Sequence, residues 1–426
     1  MRKLAILAAL ALIPACGGGG GGGGGGDAIS TVSDSASTVT VVGKGSLPAG
    51  LPARFGLGLA SNPTELGWMS TSGVPWDYRS QYLSGGVNSG AGWSTWNAPA
   101  GQFAASYMTA SAAAGKIPVF VYYQFVGSTP DASDEDPDTK LNNTATMAAY
   151  YADFKLLMQK CGGFGGTVIV LVEPDFWGHC QNEHGANPAS VTVKTTSSGF
   201  AEAVGTEDLR GFAQTLVALR NSYAANALLA WHASHWAAGP DLIINAVDPV
   251  AQADATAAYY TALGAAFQLL SHDPSDRDSQ YKVVQYGASI ADAWWDAADF
   301  ERYRAYLDRM HDVTNLRGFL FQVPAGNTVC RSCDNSWGHY QDNRPEFFLQ
   351  EGNRANREAF AAAGVFAVIF AGAGGGTTSY RDAQGDGLTS PGPVNGNTAA
   401  PATADDDGGF LRLRAGAYYL GVQTLN

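Results

Sequence analysis

Eight short apolar runs, separated by helical stretches, recur between residues 54 and 372, and this alternation restricts the chain to an α/β fold with parallel strands. The runs are RFGLGLA (54–60), DYRSQYL (77–83), IPVFVYYQF (117–125), GTVIVLVE (166–173), ALLAWHAS (227–234), AAFQLLSHD (265–273), GFLFQVP (318–324) and GVFAVIFAG (364–372). The plainest is the fourth, whose core Val168–Val172 is apolar at every position, as in a strand buried on both faces. Between the runs lie amphipathic segments. NNTATMAAYYADFKLLMQK opens on Asn and Thr suited to capping. In TEDLRGFAQTLVALRNSYA, Leu209, Phe212, Leu216 and Leu219 share one face behind an acidic first turn. A last helix, LRLRAGAYYLGVQ, closes the series. Eight strand–helix units over residues 52–426 predict a single (β/α)8 barrel with long βα loops. An open Rossmann-like sheet is the alternative, but no GxGxxG follows the first run, and GAGGG (372–376) reads as a tight loop after the last.

The N-terminus belongs to a different regime. Arg2 and Lys3 precede the apolar LAILAALALI, and the stretch ends in IPAC. This resembles the lipobox of bacterial lipoproteins, although Pro14 departs from the usual small residue. The resemblance implies a signal peptide over 1–16 and lipidation of Cys16; ordinary secretion with cleavage nearby is the rival. Ten glycines and a Ser/Thr-rich segment follow, so residues 17–51 are expected to be a flexible tether. The expected location is the cell envelope, lipid-anchored at the outer membrane, or outside the cell.

The remaining composition narrows the partners. With 25 basic against 38 acidic residues the net charge is −13 and no basic stripe is present, so nucleic acid is excluded as a partner. No later run is apolar enough to span a bilayer, which leaves the anchor as the expected membrane contact. A monomer without cofactor is expected. Cys161, Cys180, Cys330 and Cys333 form an even set, which in an oxidising compartment favours disulfides: CRSC could close on itself, or reach Cys180. A zinc site from Cys330, Cys333, Cys180 and His179 is conceivable, but one CxxC is weak support for metal.

In a barrel the active site forms at the C-terminal strand ends, and here these are rich in polar and aromatic residues. The second run opens with Trp76 and Asp77, and the third ends in Tyr122, Tyr123 and Gln124. The fourth ends in Glu173 and Asp175, followed by Trp177 and His179. The fifth supplies His232, His235 and Trp236; the sixth supplies His272, Asp273, Asp276, Arg277 and Asp278. The seventh supplies Gln322 and Asn327, and its loop carries Asp342 and Arg344. Six of the seven histidines follow such a run, His311 being the exception. Carboxylates are costly to bury without a partner, so Glu173 at the end of an apolar strand calls for a reason. Paired carboxylates of this kind suit glycoside hydrolysis, where one protonates the leaving oxygen and the other attacks or activates water. Phe176 and Trp177 would raise the pKa of Glu173, fitting it as the acid, with the base drawn from Asp175, Asp273, Asp276 or Asp278. The other strand-end residues become candidate sugar contacts.

Taken together, the chain resembles the secreted (β/α)8 glycoside hydrolases. In the large retaining clan of these barrels, strand four ends in Asn-Glu-Pro and strand seven carries a glutamate. Here the corresponding residues are Val172-Glu173-Pro174 and Gln322. The EPD of residues 173–175 is similar to that of the inverting cellulases of glycoside hydrolase family six. The resemblance implies a carbohydrate substrate and Glu173 as acid. Two other functions compete with it. One is a non-catalytic carbohydrate-binding lipoprotein on the same scaffold. The other is a metal-dependent barrel hydrolase, although the first run lacks the His-x-His of that class.

Overall fold

The computed structural model describes residues 35–130, 137–371, 375–390 and 403–426. The expected leader, Cys16, the glycine run and part of GAGGG lie outside them. Ten strands lie among the described residues: β1 Ser37–Val39, β2 Gly56–Ala60, β3 Tyr78–Leu83, β4 Ile117–Tyr122, β5 Val168–Val172, β6 Ala227–His232, β7 Leu269–His272, β8 Gly318–Val323, β9 Val365–Phe370 and β10 Gln423–Leu425. β2 through β9 form a closed, all-parallel barrel in sequence order, β9 pairing back onto β2. Each of the eight runs supplies one barrel strand, so the expected (β/α)8 architecture holds.

Closure depends on two glycines. Tyr78 fills the barrel interior against Phe366 at a ring separation of 6.0 Å, and Phe319 stands 5.8 Å beyond. A Cβ on Gly58 would lie 2.6 Å from Cβ of Tyr78, and one on Gly56 would strike its ring. The glycines of RFGLGLA therefore make room for one aromatic side chain from the neighbouring strand. Because side chains alternate along a strand, Ser80 and Tyr82 face inward with Tyr78, while Arg79 turns out to lie 4.0 Å over the Tyr107 ring of the helix Gln102–Ala113.

The helices sit where their caps begin them. The Asn143 side chain accepts from Thr146 N at the start of Thr144–Phe164, and Asp208 caps Leu209–Tyr223. One expectation needs correction. The segment 17–51 is not tether throughout, because Ser37–Val39 pairs in parallel with Gln423–Leu425. The β-branched run Thr38–Val42 is a good strand former, and β10 offers it an edge. Lys44 then pairs with Asp308 at 3.0 Å and with Asp312, fastening this segment to the helix Ala297–Thr314.

Candidate functional site

The inward alternation that places Tyr78 at the barrel floor brings Tyr82 to the mouth at the end of β3. Tyr123, directly after β4, continues the ladder from its N–H to Leu83 O at 2.9 Å, and its ring meets Tyr82 edge-on at 6.0 Å. Tyr123 Oη donates to Asp175 Oδ2 at 3.0 Å. Burial pushes the Tyr82 phenol well above its ordinary pKa, and the charges of Asp175, Asp273 and Asp276 push it further. The charges of three carboxylates from the loops after β5 and β7 thus reach one phenol.

Asp273 differs from its companions. Burial would raise its pKa, but contact with His232 and the positive field of His232, His235 and Lys282 outweigh this and hold it below the usual carboxylate range. His232 Nε2 stands 3.4 Å from Asp273 Oδ1, while Nδ1 is 3.2 Å from Ser271 Oγ, so the ring bridges β6 and β7. Asp276 is paired with Arg277 at 3.0 Å and Lys282 at 3.6 Å, its side chain one-third exposed at 34 %. At the β5–β6 edge His179 packs on Trp236 with ring centroids 5.0 Å apart, and His235 is held by Asp241 at 3.1 Å.

Glu173 is not in this group, which corrects its expected position at the mouth. Its backbone is left-handed at φ 45°, and its carboxylate has no accessible surface. The carboxylate accepts from Gln124 N at 2.8 Å, Phe125 N at 3.3 Å and Tyr150 Oη at 3.0 Å. Tyr150 belongs to the helix Thr144–Phe164, so the side chain fills the seam between barrel and helices. Burial raises its pKa to about 8 against those three donors. The apolar strand end tolerates this acid because it is satisfied internally.

Other expected site residues also lie away from the mouth, Tyr122, Gln124 and His272 by strand parity and Trp177 because it sits in the helix Phe176–His184. Tyr122 donates to Asp153 at 2.9 Å beneath the helix layer, where Trp93 Nε1 donates to the same oxygen at 2.6 Å. Trp177 is 1 % exposed, donates to Val172 O at 2.8 Å and packs among Phe176, Phe212 and Trp231. Gln124 is buried and spans to Leu83 O at 2.7 Å. His272 faces His311, Nε2 to Nε2, at 3.2 Å; burial first, then the neighbouring histidines, keep it well below its ordinary pKa.

A second set serves the loops. Asp278 is fully buried, accepts from Gly326 N at 3.0 Å and Thr378 N at 2.8 Å, and is raised to about 7 by burial and by Asp342. Asp342 accepts from Arg344 Nη1 and from Ser279 N, both at 2.7 Å. Asn327 donates to Asp407 O at 2.9 Å. These residues tie the loops after β7, β8 and β9 together and expose nothing to a ligand. Gln322 is buried at φ 56° where the β8–β9 register breaks. Trp76 and Asp77 lie at the opposite end of the barrel. There Asp77 accepts from Arg54 Nε at 3.0 Å and Tyr419 Oη at 2.7 Å, and Trp76 donates to Ser72 Oγ at 3.1 Å.

No disulfide forms among Cys161, Cys180, Cys330 and Cys333, all of them buried free thiols. Cys180 lies in the helix Phe176–His184, while Cys330 and Cys333 pack against Gly408 and Asp406 in the loop layer. A hydrogen bond from Cys333 lowers Cys330 to about 6, so CRSC is a hydrogen-bonded dithiol. Among the described residues no three His, Cys, Asp or Glu side chains converge to hold a metal ion.

Sequence reading missed Tyr82 and Tyr123 as neighbours of the carboxylates. The signal for both was parity: Val119, Val121 and Tyr123 share a face, as do Tyr78, Ser80 and Tyr82.

No family model and no curated protein matches the chain. Solved structures similar to it include a family 26 endo-β-1,4-mannanase from Cellulomonas fimi, at 13% identity and a TM-score of 0.44, covering 88% of this chain and 70% of that one. A fungal β-1,4-galactanase matches at 12% identity and 0.40, over 74% and 89%. The cellobiohydrolase Cel6A of Humicola insolens matches at 12% and 0.40, over 83% and 95%.

Proposed function

We propose that the chain is a glycoside hydrolase acting on a polysaccharide or oligosaccharide, with Asp175 as the general acid and Asp273 as the carboxylate opposite it. The observation that carries this is the hydrogen bond from Tyr123 to Asp175 at 3.0 Å beside Tyr82, whose phenol also feels the charges of Asp273 and Asp276. Hydrolysis of a glycosidic bond needs one carboxyl able to give a proton and one that stays ionised. Asp273, held anionic beside His232, meets the second requirement. Asp175 is partly exposed and takes a hydrogen bond from Tyr123, so its carboxyl is oriented yet reachable. Glu173 is oriented by three donors but has no accessible surface, so it is out of reach of a substrate and orients the loop after β4 instead. Since β8 carries the neutral Gln322, Asp273 acts on water, and the product anomer is inverted.

The experiment is release of reducing ends from a polysaccharide panel by the full-length protein and its Asp175→Asn, Asp273→Asn and Glu173→Gln forms. Loss of about 10²–10⁴-fold in the first two, with Glu173→Gln near the parent, supports the assignment. The reverse ranking returns the acid role to Glu173. An absence of turnover, with glycan binding kept in every form, makes the scaffold a binding protein.

A further inference from the structure

Resting on that reading of the mouth, we propose that Trp337 and Tyr286, backed by Tyr281, form a sugar-stacking subsite for a neutral polysaccharide that runs across the mouth. Trp337 is 55% exposed and Tyr286 41% exposed, large apolar surfaces for a soluble domain to leave in water. They are not isolated. Tyr281 stands edge-on to Tyr286 at 5.3 Å, lies 6.4 Å from Trp337, and packs on Tyr340 at 5.0 Å. The patch is also held in place. Gln285 Nε2 donates to Tyr340 Oη at 2.7 Å, and the Trp337 ring rests on Gly376, where any Cβ would collide with it. Loops after β7, β8 and β9 therefore meet under one rigid aromatic surface, pre-organised for a flat apolar partner.

The patch is continuous with the carboxylates. Arg277 lies 5.9 Å from the centroid of Tyr281 and pairs with Asp276 at 3.0 Å, and Asp276 is one of the three carboxylates whose charges reach Tyr82. Half-buried Trp236, with His179 against it, stands in the loops after β5 and β6. Aromatic surfaces thus stand in two separate loop groups at the same end of the barrel, which suits a chain contacted at more than one point. Charge selects the class of chain. Three carboxylates at the mouth and a net charge of −13 repel a polyuronate, which leaves an uncharged sugar polymer whose ring faces are apolar.

The test uses full-length Asp175→Asn/Asp273→Asn protein, to prevent turnover, in affinity electrophoresis through gels containing β-glucan, mannan, galactan, xylan or polygalacturonate. At least one neutral polymer is expected to retard it. Adding Trp337→Ala should weaken that retardation about tenfold, while Trp337→Phe keeps most of it, with circular dichroism unchanged in both. Retardation unaffected by Trp337→Ala overturns the subsite and leaves the hydrolase reading intact. Tighter binding to polygalacturonate than to any neutral polymer overturns the proposed class. A parent that binds none of the five overturns the subsite, while the hydrolase reading stands or falls on the release of reducing ends.

Discussion

The phenol of Tyr150 donates a hydrogen bond to the carboxylate of Glu173 at 3.0 Å, across the seam between the barrel and the helix Thr144–Phe164. That bond, with two backbone donors from the loop after β4, turns the most conspicuous acid of the chain away from the mouth. The carboxylates left facing solvent belong to the loops after β5 and β7.

Glu173 makes stability depend on pH in an unusual sense. Burial raises its pKa from 4.5 to about 8, so the folded protein retains a proton that the unfolded chain gives up. Its contribution is complete below about pH 4.5 and is lost as pH rises through 8. Unfolding free energy measured by urea denaturation should fall by more than about 1 kcal/mol between pH 5 and pH 8 on this account. Glu173→Gln should flatten the dependence, because an amide oxygen can keep the bonds from Gln124 N and Tyr150. An equally steep curve in the variant would assign the dependence to other groups.

On the proposed mechanism, His232 sets the acid limb of activity. Without it, burial is the largest influence left on Asp273, and the carboxylate's pKa rises. In His232→Ala the lower pKa of the kcat/KM profile should move up by about one unit, with the alkaline limb unchanged. An unmoved acid limb would mean that Asp273 is not the ionised partner.

Tyr122 and Trp93 both rely on Asp153, which accepts from them at 2.9 and 2.6 Å in the core. Asp153→Ala leaves two buried donors without an acceptor and should cost about 2–5 kcal/mol in denaturant unfolding. A loss below about 0.5 kcal/mol would show that water replaces the carboxylate.

Gly58→Ala places a methyl 2.6 Å from Cβ of Tyr78 and should destabilise the barrel by about 2–3 kcal/mol, lowering the thermal midpoint. Gly58→Ala/Tyr78→Phe should not recover it, since the clash is with the Tyr78 Cβ and backbone and not its hydroxyl. Recovery in the double variant would place the strain at the phenol hydroxyl instead.

Much of the architecture was legible. Runs such as Val168–Val172 and the capped helices beginning at Thr144 and Leu209 state their structure locally, because period and capping are properties of neighbouring residues. The site was legible only as a region. Tyr122 and Tyr123 are adjacent in sequence, yet one serves the helix layer and the other the mouth, and only the direction of the strand separates them. His272 and Asp273 divide in the same way. Glu173 and Asp175, two residues apart, would share a face on a regular strand, but the left-handed turn at Glu173 sends them to different environments.

The amino-acid sequence by itself therefore determined the class of fold and the count of barrel strands, since these follow from local pattern. Which carboxylates face solvent, which tyrosines accompany them and which histidines meet in the interior was decided by the tertiary structure. A side chain's role here depends on whether its Cβ points into the barrel or toward the helices, and on which distant donors, such as Tyr150 for Glu173, the closed ring brings to meet it.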